Sequence, residues 1–200
     1  MLGCLTFIPP ILTKIKQCVD EKTDAEWIVG NGWSIGEFTR ENMPTKESLD
    51  KISSDKPISL KSSDGHSLWV NSLALEYSNI NSQTLDPVFG HIERKVGSTE
   101  PSGLLHEDSA VMLVMINEPR LTAKDLIRGL EFSRDVFHSF GITGVQDAIL
   151  KLVPGDAYYG LDAYNYLDQK DELNLHVVTA MLWKNGGSLE EQLPQFLRTR

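Results

Sequence analysis

The residues with the clearest chemical reach in this sequence are the triplet Asp64-Gly65-His66. Its aspartate can accept from the backbone amides that follow, and its imidazole can gain or lose a proton near neutral pH. The triplet lies in a polar turn between a short strand pattern, Pro57–Lys61, and an apolar run. Loops at such junctions are where α/β proteins build sites. The plainer reading of the same residues is a helix cap, with Asp64 satisfying the first free N–H groups of the run that follows. By default Trp69 is core and Asn71 is surface. Glu107 opens a second apolar run, where a carboxylate most often serves as an N-terminal helix charge. Asp147 closes the segment Gly141–Ala148, from which it either faces a barrel mouth or caps the next turn.

Other chemistries find little support. His66, His91, His106, His138 and His176 show no His-x-His pair and no His-Glu-x-x-His, the spacings that bring imidazoles onto one ion. Cys4 and Cys18 are neither a disulfide framework nor a metal finger, and they read as small buried apolar residues of a reducing compartment, the cytoplasm. Gly30, Gly32 and Gly36 do not make a phosphate loop.

The elements that would position these groups follow from hydrophobic period and punctuation. Of 200 residues, 40% are hydrophobic and 24% charged, an ordinary globular balance, and the net charge of −9 disfavours nucleic acid and anionic membrane as partners. No apolar stretch approaches the ~20 residues of a membrane span. The short apolar start, interrupted by Pro9-Pro10, reads as a helix start or the continuation of a longer chain. Helices are predicted over Ile11–Val19, Thr45–Ile52, Ser67–Tyr77, Thr122–Phe140 and Asp156–Leu173, with a last one capped by Ser188. Strands are predicted at Trp27–Gly30, Pro57–Lys61, Gly141–Ala148 and Leu175–Trp183, with a turn at Asn31–Ser34. A hairpin joins His91–Lys95 to Ser102–His106. The run Ser109–Ile116 leans towards helix. The second half therefore alternates helix and strand, the grammar of a parallel α/β sheet or barrel, and the first half mixes short strands with small helices.

Several segments together resemble the YtcJ-like amidohydrolases (amidohydrolase family 3). Glu26–Trp33 resembles the family's W-I-x-G-x-G-W. Leu49–Ile58 resembles L-D-x-I-x-P-D-x-P-V, with Ser54 in place of a proline. Asp64–Leu75 resembles D-G-H-x-x-W-x-N-S-x-A-L. Ser102–Glu107 resembles T-G-x-L-x-E, and Gly141–Ala148 resembles G-I-T-S-V-x-D-A. The order is the family's, and any one segment alone is weak.

The resemblance implies a metal-dependent hydrolase (β/α)8 (TIM-like) barrel with a mixed α+β insertion. Residues 1–120 would be the insertion, and residues 121–200 the second and third barrel strands with their helices. It implies hydrolysis of a non-peptide C–N bond in a small amide by water activated on a divalent metal, zinc by expectation. It places Asp64, His66, Trp69, Asn71 and Glu107 in substrate contact. The family's metal-binding residues correspond to none in this sequence: its His-x-His pair falls before it, and its lysine or glutamate, two histidines and aspartate after it. The expectation is a fragment that holds no metal and is inactive alone. The alternative is a non-catalytic, shortened relative acting by protein–protein contact, with self-association through exposed strand edges.

Overall fold

The computed structural model describes residues 8–39, 43–150, 152–153, 157–158, 160–181 and 188–198. They fall into two compact units, Met1–Pro119 and Arg120–Arg200.

The first unit is built on a five-stranded sheet of β1 (Ile28–Trp33), β2 (Ile58–Ser62), β3 (Ser67–Val70), β4 (His91–Arg94) and β5 (Pro101–His106), in the order β1-β2-β3-β5-β4. β1 and β2 run parallel, and the other pairs are antiparallel. Both faces are covered. Ile11 and Ile15 of α1 (Ile8–Glu21) and Leu49 of α2 (Lys46–Asp50) pack with Ile58, Leu60, Trp69 and Leu104 on one side. Ala74 and Leu75 of α3 (Ser72–Tyr77) and Ala110, Val111 and Val114 of α4 (Glu107–Met115) pack with Leu68, Val70, Ile92 and Leu105 on the other.

This two-sided burial explains the main departure from the sequence reading. Ser67–Tyr77 is not one helix: it is strand β3, then Asn71, then helix α3. All four residues of β3 are buried, so the run lacks the polar alternation that marks a half-exposed strand. Nor does a turn follow directly on Gly30. β1 continues through Trp33 by way of a bulge at Gly32, whose φ is +102°, and the buried Trp33 donates through Nε1 to the Leu60 carbonyl at 2.7 Å.

In the second unit, Thr122 and Asp125 form a reciprocal capping box on α5 (Ala123–Ser139). β6 (Gly144–Leu150) then pairs in parallel with β9 (His176–Met181). Between them come a short antiparallel pair, β7 (Leu152–Val153) with β8 (Ala157–Tyr158), and helix α6 (Leu161–Gln169). The last helix, α7, spans Leu189–Arg198. The helix expected over Asp156–Leu173 is therefore shorter, starting after Gly160 at φ +90°; Asp156, like Trp183 of the expected last strand, lies outside the described residues. Leu167, Leu173 and Leu175 form the core, with Leu130, Phe137, Val145 and Val177 packed on it. No helix among the described residues is long and apolar enough to cross a membrane.

One half-buried carboxylate, Glu118, has a testable cost. Glu118 accepts from the Ser59 hydroxyl at 2.6 Å, and burial pushes its pKa above the usual carboxylate value, against the pull of that bond and of Lys61. A carboxyl raised in the folded state favours the protonated form, so its contribution is kept at low pH and lost as pH rises through the folded value. Glu118→Gln keeps an acceptor for Ser59 and removes the charge. It is expected to raise the thermal midpoint at pH 8 and leave it unchanged at pH 4, as read by melts at both values.

Candidate functional site

The polar turn between β2 and β3 is tied down by its own side chains. The Ser62 hydroxyl donates to Asp64 Oδ1 at 2.6 Å, and the backbone amide of His66 donates to the same oxygen at 2.9 Å. These bonds, the hydroxyl's first, hold the Asp64 carboxyl below its usual pKa. Asp64 thus closes a hairpin turn rather than capping a helix, because a strand follows it. The turn presents the His66 ring, whose Nδ1 lies 3.2 Å from Glu107 Oε2, with both side chains more than half exposed.

Glu107 reaches that position by a costly route. Its φ is +67°, a left-handed conformation that disfavours a side chain by about 1 kcal/mol or more. Its amide donates to the His66 carbonyl at 2.8 Å, so the junction of β5 and α4 is locked onto the β2–β3 turn. Glu107 also stands in the first turn of α4, where the helix dipole favours a negative charge.

Asp64, His66 and Glu107 are therefore brought together. Trp69 and Asn71 are not part of that rim. Trp69 is fully buried, edge-on to Trp33 and Phe38, with its Nε1 donating to the Thr45 carbonyl at 2.9 Å. Asn71, expected at the surface, is also fully buried and makes four hydrogen bonds within the protein. Both stand where they can hold the β2–β3 hairpin.

A second group of side chains escaped the sequence reading. His106 sits between Ser67 Oγ, 3.0 Å from its Nδ1, and Glu93 Oε2, 3.4 Å from its Nε2, and Ser102 donates to the other oxygen of Glu93 at 3.1 Å. The bond to His106 is the largest influence holding the Glu93 carboxyl below its usual value. His91 stacks on His106 with ring centres 6.1 Å apart and is itself paired with Asp86 at 2.6 Å. The register His91↔His106 follows from the expected hairpin, so that contact was within reach of sequence. The register Ser67↔His106 needed β3 to be known as a strand.

A Gly-x-Ser-x-Gly string, Gly32–Gly36, crosses the end of β1. Ser34 has φ −123° and ψ 133°, an ordinary extended backbone and not the strained elbow that exposes a nucleophile. In the second unit, Asp147 takes the Tyr164 hydroxyl on Oδ2 at 3.1 Å and the Ile149 amide on Oδ1 at 3.3 Å.

The metal of a hydrolase needs several imidazoles and carboxylates converging on one point. Among the described residues, no group of three or more His, Cys, Asp or Glu side chains is placed to do so. The pairs of the first unit gather at one end of the sheet, where Ser67 and His91 both stand opposite His106, but His91 and His106 face each other in a stack rather than aiming at a common ion. Among the described residues the donor set does not fit a metal.

Comparison with known proteins defines the class. The structure is similar to part of the fold of an uncharacterized metal-dependent hydrolase from Pyrococcus horikoshii OT3, with a TM-score of 0.55 at 20% identity, over 88% of this chain and 31% of that one. Residues 7–198 match the amidohydrolase family, and the chain belongs to it. YtcJ of Bacillus subtilis (strain 168), assigned as an amidohydrolase, is 30% identical over 163 residues, 82% of this chain and 30% of its own length. The N-substituted formamide deformylase of Arthrobacter pascens is 26% identical over 162 residues, 80% of this chain and 30% of that protein. The chain thus spans less than a third of each of these proteins.

Proposed function

We propose that this chain is the substrate-facing part of an amidohydrolase that cleaves a non-peptide C–N bond of a small amide by metal-activated water, in a (β/α)8 barrel of which β6 and β9 are two strands. Residues 1–120 are its mixed insertion. The observation that carries the reading is Glu107: an exposed carboxylate held in a left-handed backbone against His66, at the foot of a turn braced by Asp64. Strain of this kind is kept where function requires a fixed geometry. In this reading the His66–Glu107 pair donates to and accepts from the amide group, Asp64 fixes the imidazole's approach, and Trp69 and Asn71 act from the core by holding the hairpin. Zinc is the metal we propose for the whole enzyme.

The chain by itself is then a binding element without turnover. Purified protein, assayed with N-alkyl formamides and acetamides in the presence of zinc, manganese or nickel, is expected to release no amine above the buffer rate. Zinc-dependent turnover lost in His66→Ala would overturn this. A second reading, a non-catalytic chain that pairs with another polypeptide, is favoured by one observation: among the described residues β6 and β9 form a two-stranded parallel pair, with Ile149 and Val178 about half exposed. Parallel sheets are normally wider and covered on both faces. Sedimentation of the pure chain as a monomer across its soluble range would remove that reading.

A further inference from the structure

The second unit contains a cleft lined by none of Asp64, His66 and Glu107. It has a volume of about 500 Å³ and lies among α5, β6 and the first turns of α6. Its walls are mainly apolar, including Leu126, Leu130, Phe137 and Leu175. Two carboxylates line it: Asp125, held by the amide and hydroxyl of Thr122 in the capping box, and Asp147, fixed deeper in by the Tyr164 hydroxyl and the Ile149 amide of the strand and helix that form its walls.

Two features of the cleft ask for an occupant. The first is charge. Among the described residues Asp147 takes one contact on each carboxylate oxygen and has no Lys or Arg partner, so these groups leave an acceptor position on each oxygen. Burial, then the neighbouring carboxylate, pushes the Tyr164 phenol up to about 12, so it stays a donor to Asp147 and adds no positive charge of its own. The second is Gly129. It sits inside the 17-residue helix α5, where glycine costs about 1 kcal/mol relative to alanine. No packing demand explains it, because a Cβ built there meets nothing within 4 Å. It lines the cleft, and the missing side chain leaves the cleft open.

We propose that this cleft binds an organic ammonium ion, its charge on Asp147 and its apolar body over Gly129 against Leu126, Leu130 and Phe137. A charge-assisted hydrogen bond in a half-buried site favours an ammonium over a neutral group of equal shape. The inference rests on the second unit alone and stands or falls apart from the reading of the His66–Glu107 rim.

The test uses the whole chain with cyclohexylammonium as probe and cyclohexanol as its neutral isostere, followed by saturation-transfer NMR and calorimetry. Cyclohexylammonium is expected to bind at least about tenfold more tightly than cyclohexanol, a difference of about 1.4 kcal/mol. Asp147→Asn, which keeps an acceptor for Tyr164, is expected to erase that preference. Gly129→Leu is expected to abolish binding of both probes while raising the melting temperature, which separates blockage from unfolding. Equal affinity of wild type for the two probes, an unchanged preference in Asp147→Asn, or undiminished binding in Gly129→Leu overturns the proposal, as does absence of binding to the folded wild-type chain.

Discussion

Asn71→Ala is expected to cost the first unit about 4 kcal/mol or more, most of the stability of an ordinary domain. The side chain is fully buried and uses its whole hydrogen-bonding capacity. Its oxygen accepts from the Ile58 amide at 2.9 Å and from the Ala74 amide at 3.0 Å, and its nitrogen donates to the carbonyls of Ser53 at 3.1 Å and Lys56 at 2.9 Å. Truncation orphans two N–H and two C=O groups, each worth about 1–3 kcal/mol when left unpaired in the interior. One of the four bonds is also the N-cap of α3, worth about 1 kcal/mol by itself. Asn71→Asp is the informative companion. It keeps both accepting bonds and turns a carboxylate oxygen onto two carbonyls. Its deficit should therefore shrink as pH falls, since a protonated acid can donate to one of them. Urea denaturation at pH 7 and pH 4 measures both. A loss below about 1 kcal/mol for Asn71→Ala would mean that water replaces the side chain and that the hub has no structural weight.

The same residue shows where sequence reading reached and where it stopped. Asn71 as an N-cap of α3 is local information: an Asx residue with a helix starting at the next position. It was hidden because Leu68, Trp69 and Val70 look equally apolar as helix or strand. Only the pairing of β3 with β2 and β5 decides between them. By contrast α5 was legible from end to end. Its signals, the Thr122–Asp125 box and a one-sided apolar stripe, are contained in its own residues. The parallel pairing of β6 with β9 was legible for a similar reason, since a strand–helix–strand alternation has few ways to fold. The candidate site was half legible. Asp64 and His66 stood out by type, and their closeness to Glu107 depends on a contact spanning 41 positions. The Ser67–His106–Glu93 chain depends on strand neighbours 39 and 13 positions apart. Residue types mark candidates locally, and long-range register chooses among them.

Register also explains the second large effect, Gly103→Ala. Gly103 lies inside β5, next to the central strand of the sheet, with φ +105°. Conformation is the smaller part of the problem. Gly97 has φ +70° in the turn between β4 and β5, and an added Cβ there meets nothing within 4 Å. Gly97→Ala should therefore cost only the strain of a left-handed residue, about 1 kcal/mol. At Gly103 the added carbon would lie 2.7 Å from the Lys46 amide nitrogen, 2.7 Å from the Val70 carbonyl oxygen and 2.8 Å from Lys46 Cβ. Two of these are backbone atoms, in α2 and β3, and neither can swing aside as a side-chain tip can. Relief requires α2 to move off the sheet, which strains the Trp69 Nε1 bond to the Thr45 carbonyl and the 2.6 Å pair between Lys46 and Glu100. Strain and displacement together should exceed about 4 kcal/mol, in the range reserved for a broken core. Near-UV circular dichroism reports the same event, because Trp69 is packed edge-on to Trp33 and Phe38 and loses that environment when α2 shifts. The comparison of the two glycines is decisive. If Gly103→Ala and Gly97→Ala melt alike, α2 is not seated against β5, and the clamp that holds the β2–β3 hairpin beneath His66 is not there.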